Sequence, residues 1–309
     1  MGIVVLGAVF IDIKGHATAG YIPAGRNVGT VEEVHGGVSR NVVEDIANVE
    51  LRPTFVSLVD ESGIGTGVLE KLNNHKVDTR YMRRTPDGMG KWLAVFDNHG
   101  DVVASISKRP DLSEINNILD EEGDEIFKDA DSIALEIDME KDTIKRVFKY
   151  AEKYNLKVYA AVSNMSIAVE RRDFLKNVEC FVCNQQEAGI LFMDDYSEKS
   201  PEELEEIISK KIQGAQIKKM IVTMGGQGAV YADIDGNTGF VPARNVDVKD
   251  TTGAGDSFFA GVTIGLTYGK TIAEACEIGS TLAASVIVTC DNVCPRFLPS
   301  EFGIDVPEE

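Results

Sequence analysis

Short, fully apolar runs recur along the 309-residue chain, and helix-length segments with an apolar period near 3.6 lie between several of them. The strand-like runs are Ile3–Val9, Thr54–Val59, Ser132–Leu135, Lys157–Ala161, Cys180–Cys183 and Met220–Met224. Strands that are apolar throughout need cover on both faces, and strands that alternate with helices pair in parallel. The pattern therefore predicts an α/β fold with three layers, in which helices flank a mainly parallel central sheet.

Two of the intervening segments carry a clear helical stripe. In residues 204–212 the apolar positions are Leu204, Ile207, Ile208 and Ile212. Ser200 and Pro201 precede this stripe and predict the helix cap and the first helical position. The segment 141–154 repeats the pattern with Ile144, Val147, Phe148 and Ala151.

Two stretches depart from the alternation of strands and helices and indicate a small β structure at one edge of the domain. Residues 91–107 contain two strand-like runs around the turn Asp97-Asn98-His99-Gly100, which predicts a hairpin. Residues 19–37 are rich in glycine and more strand-like than helical. We expect a single domain over residues 1–309, with lid segments at about 15–36 and 86–108 that close over a pocket.

Charge and cysteine usage narrow the functional classes. A net charge of −19 argues against a nucleic-acid partner and against an anionic membrane surface. No apolar run approaches the ~20 residues that a membrane helix needs. The N-terminus lacks a basic region, so it predicts a buried strand and not a signal peptide. Five cysteines without framework spacing predict a reducing, cytoplasmic location.

The CxxC formed by Cys180 and Cys183 raises the question of zinc. Both cysteines fall within a strand-like run, and residues three apart on a strand point to opposite faces. The spacing therefore argues against a metal site at this pair.

The first two motifs that could take part in binding or catalysis lie near the N-terminus. We expect the opening strand to run on to Asp12 and set its carboxylate at the carboxyl edge of the sheet, where ligands of open α/β sheets bind. Gly36 and Gly37 would let the backbone approach a ligand closely, with Asn41 beside them. A plain glycine loop ahead of a helix is the alternative.

A third motif follows a strand in the second half of the chain. Asn184 and Glu187 could hold a hydrated Mg²⁺ through its water molecules. The alternative is that Asn184 caps the following helix. A glycine turn between two strands contains Thr223, Gly225 and Gly228, and a nucleotide could bind there. Taken alone, this motif indicates only a turn.

The fourth motif, DTTGAGD at residues 250–256, feeds small residues into a helix N-terminus. Backbone N–H groups of Gly253, Ala254 and Gly255 would offset charge on a phosphoryl group. Asp256 would then accept the proton of an attacking hydroxyl. The motifs GxxxxGK[ST] and GxGxxG after the first strand are both missing, which excludes a P-loop NTPase and a dinucleotide-binding fold. A purely structural helix cap is the alternative.

Together these motifs resemble a known family. GGVSRN at 36–41 and DTTGAGDSFFAG at 250–261 are similar to the paired signatures of the ribokinase-like (PfkB) carbohydrate and nucleoside kinases. NQQE at 184–187 resembles the NxxE magnesium–phosphate motif, and VTMGGQGAVY the nucleotide-site turn. The resemblance runs from Ile3 to about Pro299. IDIKG at 11–15, followed by GGVSRN, is most similar to the pseudouridine kinases.

The resemblance implies ATP- and Mg²⁺-dependent phosphorylation of a primary hydroxyl, with pseudouridine as the expected substrate. A ribokinase or another nucleoside kinase is the runner-up, and a non-catalytic sugar or nucleoside sensor is less favoured because Asp256 and its glycines are present. The implied ligands of the sugar hydroxyls are Asp12, Gly37 and Asn41, with Glu136 beside them. Asp256 is implied as the base, with residues 253–255 as the anion hole.

Two further features follow from the resemblance. Asp250 and Thr252, with carbonyls of residues 289–295, would frame a K⁺ site of the kind that some members possess. Arg296 stands where a small polar residue is common, which counts against K⁺ dependence. Family lids often pair between subunits, so a homodimer through the lid is expected.

Overall fold

The computed structural model describes residues 2–99 and 102–305, and the following elements lie within them. The strands are β1 (Ile3–Leu6), β2 (Val9–Ala17), β3 (Gly29–Gly36), β4 (Thr54–Val59), β5 (Met82–Arg84), β6 (Met89–Phe96), β7 (Val102–Lys108), β8 (Ser132–Glu136), β9 (Lys157–Ala161), β10 (Cys180–Asn184), β11 (Lys219–Thr223), β12 (Gly228–Asp233) and β13 (Thr238–Pro242). The helices are α1 (Val38–Asn48), α2 (Gly63–Asn74), α3 (Glu114–Phe127), α4 (Lys141–Tyr154), α5 (Met165–Ala168), α6 (Gln185–Phe192), α7 (Pro201–Ala215), α8 (Ala254–Thr267) and α9 (Ile272–Ile287). Short 3₁₀ segments cover Val169–Asn177, Gly225–Gln227 and Pro299–Phe302.

The central sheet has the strand order β13-β12-β11-β10-β9-β8-β1-β4-β5. From β5 to β11 neighbouring strands pair in parallel, and β12 and β13 add an antiparallel edge. The predicted α/β fold is confirmed: a mostly parallel sheet flanked by helices, with a smaller second sheet. Strands β4 and β9 have the bounds that their apolar runs predicted.

Two hydrophobic cores cover the two faces of the central sheet. Cys183 packs in the core that contains α4 and α7, whereas Cys180 packs in the core that contains α1, α8 and α9. The two cysteines therefore point to opposite faces, as their spacing on a strand predicted. No helix among the described residues is long and apolar enough to cross a membrane.

Helix α7 shows how local sequence sets an element. The Ser200 hydroxyl accepts from the N–H of Glu203 at 3.3 Å, and the Glu203 carboxylate accepts from the N–H of Ser200 at 3.0 Å. This capping box and Pro201 at the first helical position start the helix where the sequence predicted. Helix α4 also spans the predicted residues and ends at Asn155, which has a left-handed φ of 54°.

The first strand differs from the prediction. β1 ends at Leu6, and after Gly7 and Ala8 the chain enters the smaller sheet as β2. A Cβ on Gly7 would lie 2.0 Å from the Ser39 hydroxyl and 2.5 Å from a Glu136 carboxylate oxygen, so this position has room for glycine alone. The same Glu136 oxygen accepts from the N–H of Ala8 at 3.2 Å. Side chains from distant parts of the sequence thus pack against the backbone at Gly7, where the first strand has ended. Asp12 consequently lies in the smaller sheet.

The smaller sheet, here called the lid, has the strand order β3-β2-β6-β7. β6 and β7 form the predicted antiparallel hairpin, although Gly100 of its turn lies outside the described residues. β2 pairs with β3 antiparallel and with β6 in parallel. The lid strands overlap both predicted lid segments and begin earlier, at Val9. The prediction of one domain over residues 1–309 stays a prediction.

Candidate active site

Asp256 lies in the first turn of α8, directly after a glycine turn. Gly253, the N-cap, has a left-handed φ of 81°. A Cβ at this position would lie 2.1 Å from the carbonyl oxygen of Asn292. Both the backbone conformation and the close approach therefore require glycine. The start of α8 packs against Asn292, within the loop of residues 289–295.

The backbone donors at this helix start differ in one respect from the prediction. The N–H of Ala254 donates to the carbonyl oxygen of Thr251 at 3.2 Å, so it is not a free member of the anion hole. The N–H groups of Gly253, Gly255 and Asp256 donate to no atom of the described chain. Unpaired N–H groups at the positive end of a helix dipole are the arrangement that favours an anion. The anion hole itself stays a prediction.

The Asp256 carboxylate is half-buried, and one of its oxygens is held by α1. Nδ2 of Asn41 donates to Oδ2 of Asp256 at 2.6 Å. Burial raises the pKa of Asp256 to about 6. The Asn41 hydrogen bond and the Arg40 cation act against this rise, whereas the charges of Asp12 and Glu187 add to it. A carboxylate that is ionised at neutral pH, yet has a pKa close to it, is suited to general-base catalysis.

Asp12 reaches the same region from lid strand β2. Its carboxylate lies over Gly36, where a Cβ would come within 2.5 Å of a carboxylate oxygen. Burial raises the pKa of Asp12, and the positive charges of Lys14 and Arg40 oppose the rise. Gly37 follows with a φ of 98°, and its Cβ would lie 2.7 Å from the carbonyl oxygen of Ala8. Asp12 therefore lies beside the glycines of GGVSRN, but it comes from the lid and not from the main sheet. Its role toward a sugar stays a prediction.

Asn41 and Glu136 make contacts that the sequence did not predict. The Asn41 amide donates from Nδ2 to Asp256 and accepts at Oδ1 from Arg40, which leaves one Nδ2 hydrogen and one Oδ1 lone pair for a sugar hydroxyl. Glu136 is buried at the end of β8, and its Oε1 accepts from the N–H of Ser39 at 2.9 Å. Burial, followed by the charge of Asp138, raises the pKa of Glu136 to about 7. Glu136 thus ties β8 to α1, and its role toward a sugar stays a prediction.

A cavity of about 260 Å³ joins Asp256 to the predicted nucleotide residues. Its lining includes Asn184, Glu187, Thr223, Gly255 and Asp256. The structure therefore gathers three separate sequence motifs around one space. Gly225 and Gly228 form the turn that follows Thr223, with φ values of 55° and 132°.

Asn184 and Glu187 also form the helix cap that was the alternative interpretation. The Asn184 side chain accepts from the N–H of Glu187, and Oε2 of Glu187 accepts from the N–H of Asn184, both at 2.8 Å. Burial raises the pKa of Glu187. A carboxylate held rigidly at the edge of this cavity still has the oxygen chemistry that Mg²⁺ prefers, so the cap and a metal role are compatible.

The residues predicted to frame a monovalent cation form a compact turn. Oδ1 of Asp250 accepts from the N–H of Thr252 at 2.9 Å and from its hydroxyl at 2.7 Å. Arg296 extends away and pairs with Glu50, two residues after the end of α1. The guanidinium is therefore engaged elsewhere, and the K⁺ site stays a prediction.

Two features near the site were missed in the sequence. Arg40, within GGVSRN, is fully buried and contacts Asn41; the glutamate four residues later was the available signal. Trp92 lies on the same lid face as Asp12, because these two residues are register partners in β2 and β6. No local pattern indicates a parallel register, so the position of Trp92 could not be read from the sequence.

Comparison with known proteins identifies the family. The model of the pfkB family carbohydrate kinases matches residues 2–297. The chain belongs to this family. It is a phosphotransferase with an alcohol group as acceptor, an ATP-dependent sugar or nucleoside kinase, and the resemblance of its motifs to this family is confirmed.

Two relatives and one solved structure match this chain over more than nine-tenths of its length. A guanosine-inosine kinase of Exiguobacterium acetylicum is 34% identical over 293 residues, which cover 94% of this chain and 95% of the relative. A pseudouridine kinase of Escherichia coli (strain K12) is 23% identical, with coverages of 94% and 91%. A solved structure of Arabidopsis thaliana ribokinase complexed with ribose and ATP superposes with a TM-score of 0.80 at 19% identity, with 95% of each chain covered.

These identities correct one expectation. The chain is more similar to the guanosine-inosine kinase than to the pseudouridine kinase. The prediction that it is most similar to pseudouridine kinases, based on IDIKG and GGVSRN, is therefore wrong. Both motifs are short, and together they cover only residues 11–15 and 36–41.

Proposed function

We propose that this kinase transfers the γ-phosphoryl group of ATP to the 5′-hydroxyl of a nucleoside, with guanosine and inosine preferred over pseudouridine. The relative at 34% identity supports the purine nucleosides. The observation that carries the nucleoside assignment is an aromatic group on the lid face that bears Asp12.

The aromatic group consists of His16, Trp92 and Phe96. Asp12 pairs in register with Trp92, and His16 pairs with Phe96, so all four side chains share one face of the lid. The His16 and Phe96 rings stack with centroids 4.6 Å apart, and Trp92 meets Phe96 edge-on at 6.4 Å. A ribose bound at Asp12 would place its base over these rings, whereas a free sugar would leave them without a partner.

The chemistry follows from the groups around Asp256. The ionised carboxylate accepts the proton of the 5′-hydroxyl as that oxygen attacks the γ-phosphorus. The N–H groups of Gly253, Gly255 and Asp256 stabilise the negative charge that develops on the phosphoryl oxygens. Because Asn41 holds the carboxylate at 2.6 Å, the base is positioned before the substrate arrives.

Residues across the cavity would hold the nucleotide. PfkB kinases use ATP with Mg²⁺, and bound Mg²⁺ would neutralise charge on the phosphates. Glu187 would bind the ion through water, and Thr223 with the turn of Gly225 and Gly228 would border the nucleotide. The half-buried Glu187 carboxylate, held by Asn184 at the edge of the same cavity as Asp256, supports this arrangement.

We expect a substrate panel to favour purine nucleosides and the Trp92→Ala variant to lose that preference. Stacking on an aromatic ring contributes ~1–3 kcal/mol per base, so the KM for guanosine should rise roughly tenfold while the KM for ATP stays unchanged. Trp92→Phe keeps a ring and is the matched control. Steady-state rates with guanosine, inosine, pseudouridine, uridine and ribose give the comparison.

Two results would contradict the nucleoside assignment: ribose with the highest kcat/KM, or a Trp92→Ala variant with a normal KM for guanosine. A clear preference for pseudouridine would overturn the purine part of the proposal and keep the nucleoside kinase.

We also propose a homodimer formed through the lid. The lid face opposite Asp12 carries Ile13, Val31, Leu93 and Ile106, whose positions follow from the strand registers. Val31 is 74% exposed and Ile106 70% exposed. Exposed apolar side chains that adjoin on one sheet face are typical of an interface.

The oligomeric state tests this proposal by sedimentation. The unmodified protein should sediment as a dimer at micromolar concentration, and Ile106→Glu should shift it to a monomer. Ile22→Glu is the control, because Ile22 is also exposed but lies outside the lid strands. A monomeric unmodified protein would contradict the proposal.

A further inference from the structure

Arg40 is a fully buried cation in the first turn of α1, close to the proposed base. Its side chain is 0% exposed. Nη1 donates to Oε2 of Glu44 at 2.6 Å, and Nε donates to the carbonyl oxygen of Gly36 at 3.4 Å. Nη2 donates to two acceptors, the carbonyl oxygen of His35 and Oδ1 of Asn41. The guanidinium therefore donates hydrogen bonds to four acceptors, two on side chains and two on the backbone.

The contact with Asn41 determines which way the Asn41 amide points. Because Arg40 has only donors, it can bind the amide oxygen and not the amide nitrogen. The nitrogen is thereby directed at Asp256, to whose Oδ2 it donates at 2.6 Å. If the amide were reversed, an oxygen would face the carboxylate and an NH₂ would face the guanidinium, and both contacts would be repulsive.

We propose that Arg40 is a positioning residue that fixes the Asn41 amide and, through it, aims the Asp256 carboxylate at the acceptor hydroxyl. This inference rests on the proposed role of Asp256 as the base. With Oδ2 held by Asn41, Oδ1 receives no hydrogen bond within the described residues and is the oxygen left for the substrate.

The shape of the guanidinium matters as well as its charge. A planar fork can donate to Glu44, to Asn41 and to the carbonyl oxygens of β3 at once, whereas an ammonium group acts as a point charge. His35 and Gly36, which supply those carbonyls, end lid strand β3. The His35 carbonyl also accepts from Nδ2 of Asn292 at 2.7 Å, which connects Arg40 to the loop packed against Gly253.

Any test has to separate positioning from folding. Glu44 is also buried, and Lys71 contacts it at 2.8 Å. Removal of one partner from a buried ion pair is strongly destabilising, but replacement of both partners is often neutral. The informative variant is therefore the pair Arg40→Met with Glu44→Gln, which removes one positive and one negative charge together. Arg40→Met alone should have a lower Tm.

We expect the paired variant to recover a Tm near that of the unmodified protein, with kcat reduced roughly 10- to 100-fold. The KM values for nucleoside and ATP should change only a few-fold, because Arg40 contacts neither site directly. Arg40→Lys keeps the charge but not the fork, so it should recover only part of the lost kcat.

The pH profile supplies a readout that a structural role would not move. The charged groups facing Asp256 are Arg40 and Asp45 on α1, Asp12 on β2 and Glu187 on α6. The Arg40 cation lowers the pKa of Asp256, so its removal raises that pKa. Since Asp256 acts only when ionised, the acid limb of kcat/KM, near pH 6 in the unmodified protein, should move to higher pH in the paired variant and not in Arg40→Lys.

The outcomes are distinguishable. A paired variant with normal kcat and an unmoved acid limb would overturn the role of Arg40, as would a loss of kcat that follows the loss of Tm with the limb unchanged. If Asp256→Asn remains active, the base assignment itself fails, whatever Arg40 does. An inactive Asp256→Asn together with a normal paired variant would overturn the present inference alone.

Discussion

Asp256→Asn lowers kcat by ~10²–10⁴-fold and leaves the binding of both substrates largely intact. Asparagine keeps the size of the side chain and can still accept a hydrogen bond from Nδ2 of Asn41, but it cannot take a proton from the 5′-hydroxyl. The anion site consists of backbone N–H groups, so it survives the change. Steady-state kinetics and the Kd of a non-hydrolysable ATP analogue measure the two effects separately.

The stability of the same variant has a predicted sign. Burial raises the pKa of Asp256 in the folded state to about 6, above its ordinary value. Folding therefore favours the protonated form, and above pH 6 the ionised carboxylate costs stability, which the neutral asparagine does not. Asp256→Asn should keep or raise the Tm at pH 7.5.

A variant with a kcat within a few-fold of normal would contradict the base assignment.

Gly253→Ala is expected to lower kcat by ~10²–10³-fold, the effect of removing an oxyanion-hole donor. The added Cβ would lie 2.1 Å from the Asn292 carbonyl oxygen, and the φ of 81° is unfavourable for alanine. The turn must therefore shift, and with it the N–H groups that face the phosphoryl oxygens. The measurement is kcat together with Tm.

Gly269→Ala is the matched control for this variant. Gly269 follows the other end of α8, has the same φ of 81°, and a Cβ there would meet nothing within 4 Å. It carries the same backbone strain without the collision and far from the anion site. Both variants should lose some stability, but only Gly253→Ala should lose turnover. Equal kcat values in the two variants would contradict the anion site.

Local patterns were enough to predict much of this molecule. The capping box at Ser200, the stripe of α4 and the glycine turn ahead of Asp256 are each encoded within about fifteen residues. Such features depend on backbone propensity and periodicity, which neighbouring residues determine. The motifs at 184–187 and 250–256, together with Thr223, contribute residues to the lining of one cavity.

The remaining features depend on contacts between distant residues. The end of β1 is set by Ser39 and Glu136, which meet Gly7 across the fold, and therefore the lid position of Asp12 was not predicted. Arg40 is charged and would ordinarily be expected at the surface; only the fold shows that four acceptors enclose it. The place of Trp92 beside Asp12 follows from a parallel register that no local rule provides.

The central claim is phosphoryl transfer from ATP to a nucleoside 5′-hydroxyl, and a matched pair of acceptors tests it most directly. ADP release is measured with ATP and Mg²⁺ in the presence of guanosine or of 5′-deoxyguanosine, which lacks only the acceptor oxygen. The account predicts one ADP per guanosine converted to its 5′-phosphate, and no release above background with the deoxy compound. Equal ADP release with both nucleosides, or phosphate found elsewhere on guanosine, would contradict it.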